Sequence, residues 1–391
     1  MVICATHIDD GVWIYSNKKM LEDTLDEIDK SFEMTRNMNP SKVLGLEINY
    51  DRIKGIMKLH QESYNNAKAM EEAVKCPKQT TSPGYMPHKI PNPEVKANVL
   101  PATKQSIRNF QRKVGIHMWG LQTDPSAMFV VHGLASKMLN PQKDDWEAMG
   151  RLEKYKATYP AMGIVFRRAK DKQKFKRGAN LDCLTYFADA DLAGDKTSAK
   201  STSGWCVHMG ESGMFDWKSK KQTCVCQSSC ESEVYSSKEC TCHAIWMRNA
   251  LTELGFTFTQ PTPICQDNQS AISLCTSDKH HARTRHFRLH INLLKDCARK
   301  RITRYPWIPT REMKGDLFNK AHPPCTHMTL CKLNSIHFER IDQLNSEPVM
   351  LQIDGWKEKE AARKKALEEA KVAKQGVQQV EDQEVSRLIR W

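Results

Sequence analysis

A chain of 391 residues, 40% hydrophobic and 27% charged, has the balance of a globular protein and room for two or three domains. No stretch approaches the roughly 20 apolar residues that span a bilayer, so the composition excludes a membrane-spanning helix. The formal charge of +13, from 59 Lys plus Arg against 46 Asp plus Glu, points to a polyanionic partner, nucleic acid before an anionic membrane surface.

The N-terminus, MVICATHIDDGVWIYS, lacks a basic n-region and is interrupted by two aspartates, which makes it a poor secretory signal. The expected location is therefore reducing, the cytoplasm or the nucleus, where the 14 cysteines stay as thiols. The same segment reads as a β-hairpin around the turn Asp9-Asp10-Gly11. Residues 18–36 read as an amphipathic helix with Met20, Leu21, Leu25, Ile28 and Phe32 on one face. VLGLEINY (43–50) and IMKLHQ (56–61) make a second hairpin. Six of the 17 prolines fall in residues 76–103, which read as a linker. Helical patterns run from 104 to about 157, followed by the basic run GIVFRRAKDKQKFKRG (163–178).

From 184 the pattern becomes strand-strand-strand-helix-strand-helix, a mixed α/β layer. LTYFADAD (184–191), SGWCVHMG (203–210) and MFDWKSK (214–220) are short strands, and residues 229–254 form a long helix. PICQD (263–267) is a buried strand leading into the helix NQSAISLC (268–275). A helix (285–299), the strand ITRYPWI (302–308) and a last helix (312–321) follow. KEKEAARKKALEEAKVAK (357–374) is a charged helical tail with a thin apolar stripe. Cys224, Cys226, Cys230, Cys240, Cys242 and His243 lie close in sequence, as do His322, Cys325, His327 and Cys331. Neither group has the spacing of zinc knuckles, so small buried packing is their expected role.

Cleaving a phosphodiester through two metal ions needs several carboxylates converging on ions roughly 3.5–4 Å apart. Without cations such carboxylates repel each other, and in an α/β sheet their natural mounts are strand ends and facing helices. Four acids fit: Asp189 near the end of the first strand, Glu233 in the first turns of the long helix, Asp267 at the end of the fourth strand, and Asp316 in the last helix. None stands out singly among 46 acids; their order and placement carry the signal.

Five segments, FADADLAGDKTSAKSTSGW, FDWKSKKQTCVCQSSCESEVY, ICQDNQSAISL, HARTRHFRLH and PTREMKGDLFNKA, resemble the ribonuclease H domain of copia-type retrotransposon polyproteins. The resemblance covers residues 184–321 and implies a ribonuclease H-like mixed five-stranded sheet with flanking helices. It implies that Asp189, Glu233, Asp267 and Asp316 bind two Mg2+ ions, with Mn2+ as a substitute. Asp191 and Glu231 are the rival members of their pairs. The implied activity is cleavage of the RNA strand of RNA–DNA hybrids, with other products of the polyprotein as partners. Cys230 and Ser232 depart from the family's usual residues around the glutamates. The stretch IPTREMKG lacks the histidine that many ribonucleases H carry there; His281 and His286 lie elsewhere. Lys196, Lys200, Lys218, Lys220, Lys221, Arg283 and Arg285 frame the site, and Lys218, Lys220, Lys221, Arg283 and Arg285 are the expected nucleic-acid contacts.

Upstream the resemblance is looser. THIDDGVWIYS is similar to the reverse-transcriptase hairpin that carries two aspartates, here Asp9 and Asp10, while the partner strand with a third Asp is missing. The expectation is a vestigial polymerase site without polymerase activity. The expected division is a palm and thumb remnant (1–75), a linker (76–103), a connection region (104–180), a ribonuclease H-like domain (181–322) and a C-terminal extension with a charged helix (323–391). A competing reading is a non-catalytic, nucleic-acid-binding remnant of a decayed element.

Overall fold

The Asp-Gly turn and its β-rich flanks form a two-stranded antiparallel hairpin, β1 (Val2–His7) with β2 (Asp10–Tyr15). The computed structural model describes residues 1–8, 10–72, 80–84, 102–168, 178–277 and 282–344, all within one unit, Met1–Pro348. Asp9, the basic run from 169 to 177, His281 and the charged tail at 357–374 lie outside the described residues.

Asn17 caps α1 (Lys18–Asp29) by accepting from the Met20 amide, and Leu21 and Leu25 are its buried residues. The helix stops well short of residue 36. Arg36 folds back to pair with Asp26 and Asp29, which holds the following chain as a loop, and Phe32 is left exposed. Three strands and a helix follow: β3 (Lys42–Val43), β4 (Leu46–Asp51), β5 (Ile56–His60) and α2 (Glu62–Glu71). Next come α3 (Lys104–Gly120), α4 (Met128–Ala135), α5 (Lys143–Thr158) and β6 (Gly163–Arg167). The second layer comprises β7 (Leu184–Asp195), β8 (Lys200–Met209), β9 (Met214–Lys221), α6 (Ser229–Glu253), β10 (Thr262–Cys265) and α7 (Gln269–Thr276). The chain goes on with α8 (Arg288–Arg299), β11 (Thr303–Arg304), α9 (Pro324–Leu333) and β12 (Ile336–His337).

Two five-stranded sheets result. One is antiparallel, in the order β12-β6-β5-β4-β3. It joins chain from three distant stretches. Its β6 is the apolar start of what reads as a basic run, and Gly163 is required there, since a Cβ would lie 2.3 Å from the Leu59 carbonyl oxygen. The other sheet has the order β11-β10-β7-β8-β9, with β7, β8 and β9 antiparallel and β10 and β11 parallel to β7. This is a mixed five-stranded sheet with flanking helices, as expected.

Side chains alternate across that second sheet. Tyr186 and Ala188 pack with Val234, Cys240 and Ala244 of α6. The opposite face, with Phe187, Cys206 and Met214, packs on Leu317, Phe318 and the helical core of Phe110, Val131, Leu152 and Tyr155. Residues 80–84, inside the proline-rich stretch, are tied into this layer: Ser82 is buried and accepts from Arg151 through its carbonyl. Among the described residues no helix is long and apolar enough to cross a membrane.

Further local expectations are corrected. The first strand runs past Asp191 to Asp195, because the hairpin with β8 continues through a bulge. ITRYPWI pairs only at Thr303–Arg304 plus an isolated bridge from Trp307 to Gln266, since Pro306 cannot donate to a ladder. In place of a helix over 312–321 stand two 3-10 turns, Thr310–Glu312 and Lys314–Phe318, broken at Met313.

Candidate metal centre

Strand register brings the first two acids together. In the parallel pairing Cys265 lies opposite Phe187, so two residues further along each chain Asp267 comes beside Asp189. The ladder stops there because the backbone of β10 turns into α7, where Asn268 caps the helix by accepting from the Ala271 amide. Trp307 Nε1 holds the Asp267 carbonyl at 3.0 Å, and Thr310 donates to Asp267 Oδ2 at 2.7 Å.

Helix α6 brings the third. Ser228 caps it, accepting from the Glu231 amide, while Glu231 Oε2 accepts from the Gln227 amide at 2.8 Å and meets His286 Nε2 at 3.2 Å. Glu231 is thereby occupied in starting the helix. Glu233 lies further along the first turns, and its Oε1 accepts from the Ala190 amide at 3.3 Å. One oxygen from each of Asp189, Glu233 and Asp267 lies within 4.8 Å of the other two. Among the described residues this is the cluster with metal-binding geometry. Asp191, the rival in the first pair, is outside that three-acid group; its Oδ2 occupies the space a Cβ on Gly194 would need.

The fourth acid arrives through two glycines. A Cβ on Gly204 would meet the Gly315 carbonyl at 2.7 Å, and one on Gly315 would meet the Phe187 carbonyl at 2.9 Å. Bare backbone at both positions lets the turn Lys314–Phe318 lie directly on β7 and β8. Asp316 therefore stands beside Asp189, outside the tight three-acid group. Asn319 donates to Asp189 Oδ2 at 2.6 Å, His322 Nε2 donates to the Asp316 carbonyl at 2.8 Å, and Lys320 Nζ is in ion-pair contact with Asp316 Oδ1. Sequence reading missed Asn319, Lys320 and His322. Their spacing of three, four and six residues from Asp316 was the available signal.

The electrostatics are those of a crowded anionic site. Burial, then the Asp316 carboxyl beside it, pushes Asp189 up to about 6, against the pull of Asn319. Burial, then Asp189 and Asp267, raises Glu233 far above the usual carboxylate range, and burial raises Asp267 as well. Glu233 Oε2 is buried without a hydrogen-bond partner. An acceptor orphaned among other carboxylates is the donor set of a hard cation, and these residues fit one.

The expected nucleic-acid contacts are spread out. Lys218 lies over the Trp205 ring, Lys220 pairs with Glu239 at 2.8 Å and Lys221 with Asp195 at 2.6 Å. By strand alternation Lys221 shares the face of Asp189, while Lys218 and Lys220 point to the α6 side. Arg285 is exposed; the side chain of Arg283 lies outside the described residues. An open groove lined by Ser228, Ser270, Ser273, Thr284 and His286 adjoins the start of α6. Asp10 opens β2 at an exposed position. The cysteine groups form no such centre among the described residues; Cys331 meets His327 at 3.5 Å inside the helical core.

No protein-family model matches the chain. It is 26% identical over 350 residues to the retrovirus-related Pol polyprotein from transposon TNT 1-94 of Nicotiana tabacum, covering 85% of this chain and 24% of that protein. It is 27% identical over 321 residues to the corresponding polyprotein from transposon RE1 of Arabidopsis thaliana, covering 82% of this chain and 20% of that one. Over 125 residues, 32% of this chain, it is 32% identical to secreted RxLR effector protein 161 of Plasmopara viticola and covers 80% of it. The chain thus spans a quarter or less of the polyproteins it matches. Among solved structures, LC11 ribonuclease H1 in complex with an RNA/DNA hybrid aligns with a TM-score of 0.28 at 7% identity, over 35% of this chain and 93% of that one.

Proposed function

With the chain belonging to the retrotransposon Pol polyproteins, we propose that its mixed sheet carries a ribonuclease H that cuts the RNA strand of RNA–DNA hybrids with Mg2+. The observation that carries this reading is the convergence of Asp189, Glu233 and Asp267 within 4.8 Å, with Asp316 beside Asp189. Asp189 stands between the two halves: with Glu233 and Asp267 it would hold one divalent ion, and with Asp316 a second. When bound, such ions activate the attacking water and neutralise the charge that develops on the leaving oxygen.

The protein's own part is positioning. Asn319 fixes Asp189 and Thr310 fixes Asp267, each by donating to Oδ2. The backbone amide of Ala190 keeps Glu233 turned toward the same point. Lys221, on the face of Asp189, and Arg285 would make phosphate contacts that give affinity without sequence readout, Lys221 leaving its pairing with Asp195 to do so. Hydroxyls of Ser228, Ser270, Ser273 and Thr284 in the groove are suited to 2′-hydroxyl groups, the feature that separates RNA from DNA.

The test is cleavage of a labelled RNA–DNA hybrid by the full chain with Mg2+ and with chelator. Mg2+-dependent cutting of the RNA strand, lost in Asp189→Asn and Asp267→Asn, is the expected result. Salt-sensitive hybrid binding without turnover in the wild type would favour the non-catalytic remnant instead.

A further inference from the structure

Asp316 differs from the other three acids in having a cation already against it. The triad of Asp189, Glu233 and Asp267 is open, with Glu233 Oε2 buried and unpartnered. Asp316, beside Asp189, instead has the Lys320 ammonium in ion-pair contact with its Oδ1. Lys320 follows Asp316 by four residues, past the end of the turn Lys314–Phe318, so its stem starts beside the acid it pairs with. Its side chain is 40% exposed, whereas the Asp316 side chain is 11% exposed, so the lysine reaches the acid from the solvent side. Asn319 meanwhile pins Asp189, so that carboxylate cannot turn to follow the ammonium.

Resting on the metal-site reading above, we propose that Lys320 is a resident counter-cation that occupies the Asp189–Asp316 position until a divalent ion displaces it. The two halves then load in order: the open triad first, the lysine-guarded half second. Four crowded carboxylates need positive charge in the metal-free protein, and a flexible ammonium supplies it without a fixed coordination geometry. The same ammonium must be expelled for the second ion to enter, so it weakens that step.

The experiment is a calorimetric Mn2+ titration of the full chain, comparing wild type with Lys320→Met and Lys320→Arg, alongside thermal melts without metal. Lys320→Met keeps the apolar stem and removes the charge. It should tighten the weaker Mn2+ event about tenfold and leave the stronger one within about twofold, while lowering the metal-free melting temperature. Lys320→Arg should restore the wild-type order. These opposite signs, stability down and metal affinity up, would not arise from loss of packing. An unchanged or weakened second event in Lys320→Met overturns the inference while the metal site stands. A wild type that binds no Mn2+ overturns the metal-site reading, and this inference with it.

Discussion

Two of the buried groups of charged side chains in this protein follow opposite plans. Between α5 and α9, Asp124 accepts from the Lys156 ammonium at 2.6 Å and from the Ser126 hydroxyl at 2.5 Å. Ser126 and Tyr155 share a 2.8 Å hydrogen bond, and Tyr155 meets His327 at 3.1 Å. Opposite charges and complementary donors meet there, which is how a buried ion pair becomes tolerable. At the centre of the mixed sheet, by contrast, like charges are gathered and Glu233 Oε2 is left without a donor. The first network is complete in the protein alone. The second is complete only with something positive added, and perturbed carboxylates of that kind mark functional sites rather than stabilising ones.

The largest expected effects separate the two plans by substitution. Asp189→Asn and Asp267→Asn should each lower hybrid cleavage about 10³-fold or more, as expected when several kcal/mol of charge stabilisation are removed. The metal-free melting temperature should hold or rise, because one of several repelling charges is gone. Asp124→Asn should do the reverse. It strands the Lys156 ammonium in the core, at a cost of about 3–5 kcal/mol, while the molecules that remain folded still cut. Paired cleavage assays and calorimetric melts decide it; equal destabilisation by Asp124→Asn and Asp189→Asn would erase the contrast.

Next in size is Gly204→Ala. The added Cβ would press on the Gly315 carbonyl and the Asn319 amide, lifting the turn that carries Asp316. Overpacking of this kind costs about 1–3 kcal/mol, and a displacement near 1 Å lowers turnover about 10²-fold. Melts together with single-turnover cleavage would show both; full activity in a folded Gly204→Ala protein would mean that Asp316 needs no such close approach.

That glycine pair marks the boundary of what sequence alone made legible. Asp189 and Asp267 could be placed at the ends of strands and Glu233 in the first turns of a long helix, because those elements are local in sequence. The turn bearing Asp316 reads as helical from its residues, but its shape is set by contact with β7 and β8, over a hundred residues upstream. The antiparallel sheet was half hidden for the same reason. The β4–β5 hairpin is local and legible, whereas β6 and β12 pair with partners about 100 and 170 residues away in the chain, beyond any local pattern.

Acidity offers a gentler way to set the two plans against each other. Asp189, raised from 3.8 to about 6, takes up a proton on folding between those values, so its contribution to stability falls as pH rises from about 4 to 6. Burial pulls His327 from 6.5 down to about 4, so it folds neutral; its contribution is lost as pH falls across that same range. Each shift is worth on the order of 3 kcal/mol, and in the metal-free wild type the two slopes oppose one another. Asp189→Asn should remove its share of the falling slope, so that stability climbs more, or falls less, from pH 4 to 6.5 than in the wild type. Mg2+ should tilt the wild type the same way, since binding requires ionised carboxylates. Urea melts at half-unit steps of pH would test both, and a slope unaltered by Asp189→Asn would place the titration elsewhere.

The smallest effect belongs to a chain of hydrogen bonds that helps to stitch the two regions together. Ser82 donates to the His322 carbonyl at 2.8 Å, His322 donates to the Asp316 carbonyl at 2.8 Å, and Arg151 of α5 donates to the Ser82 carbonyl at 3.1 Å. A residue from the proline-rich stretch is thus two hydrogen bonds from an acid of the candidate metal centre. Ser82→Ala removes one bond and should cost about 1 kcal/mol. Since no substrate group is involved, kcat should fall a few-fold while KM for the hybrid stays put, reflecting a looser Asp316. His322→Gln, which can keep a side-chain N–H donor near that carbonyl, should behave more like Ser82→Ala than like His322→Phe, where the donor is gone. If Ser82→Ala lowers the melting temperature but leaves kcat unchanged, the stitch serves only to hold the layers, and the paired and unpaired clusters are independent of each other.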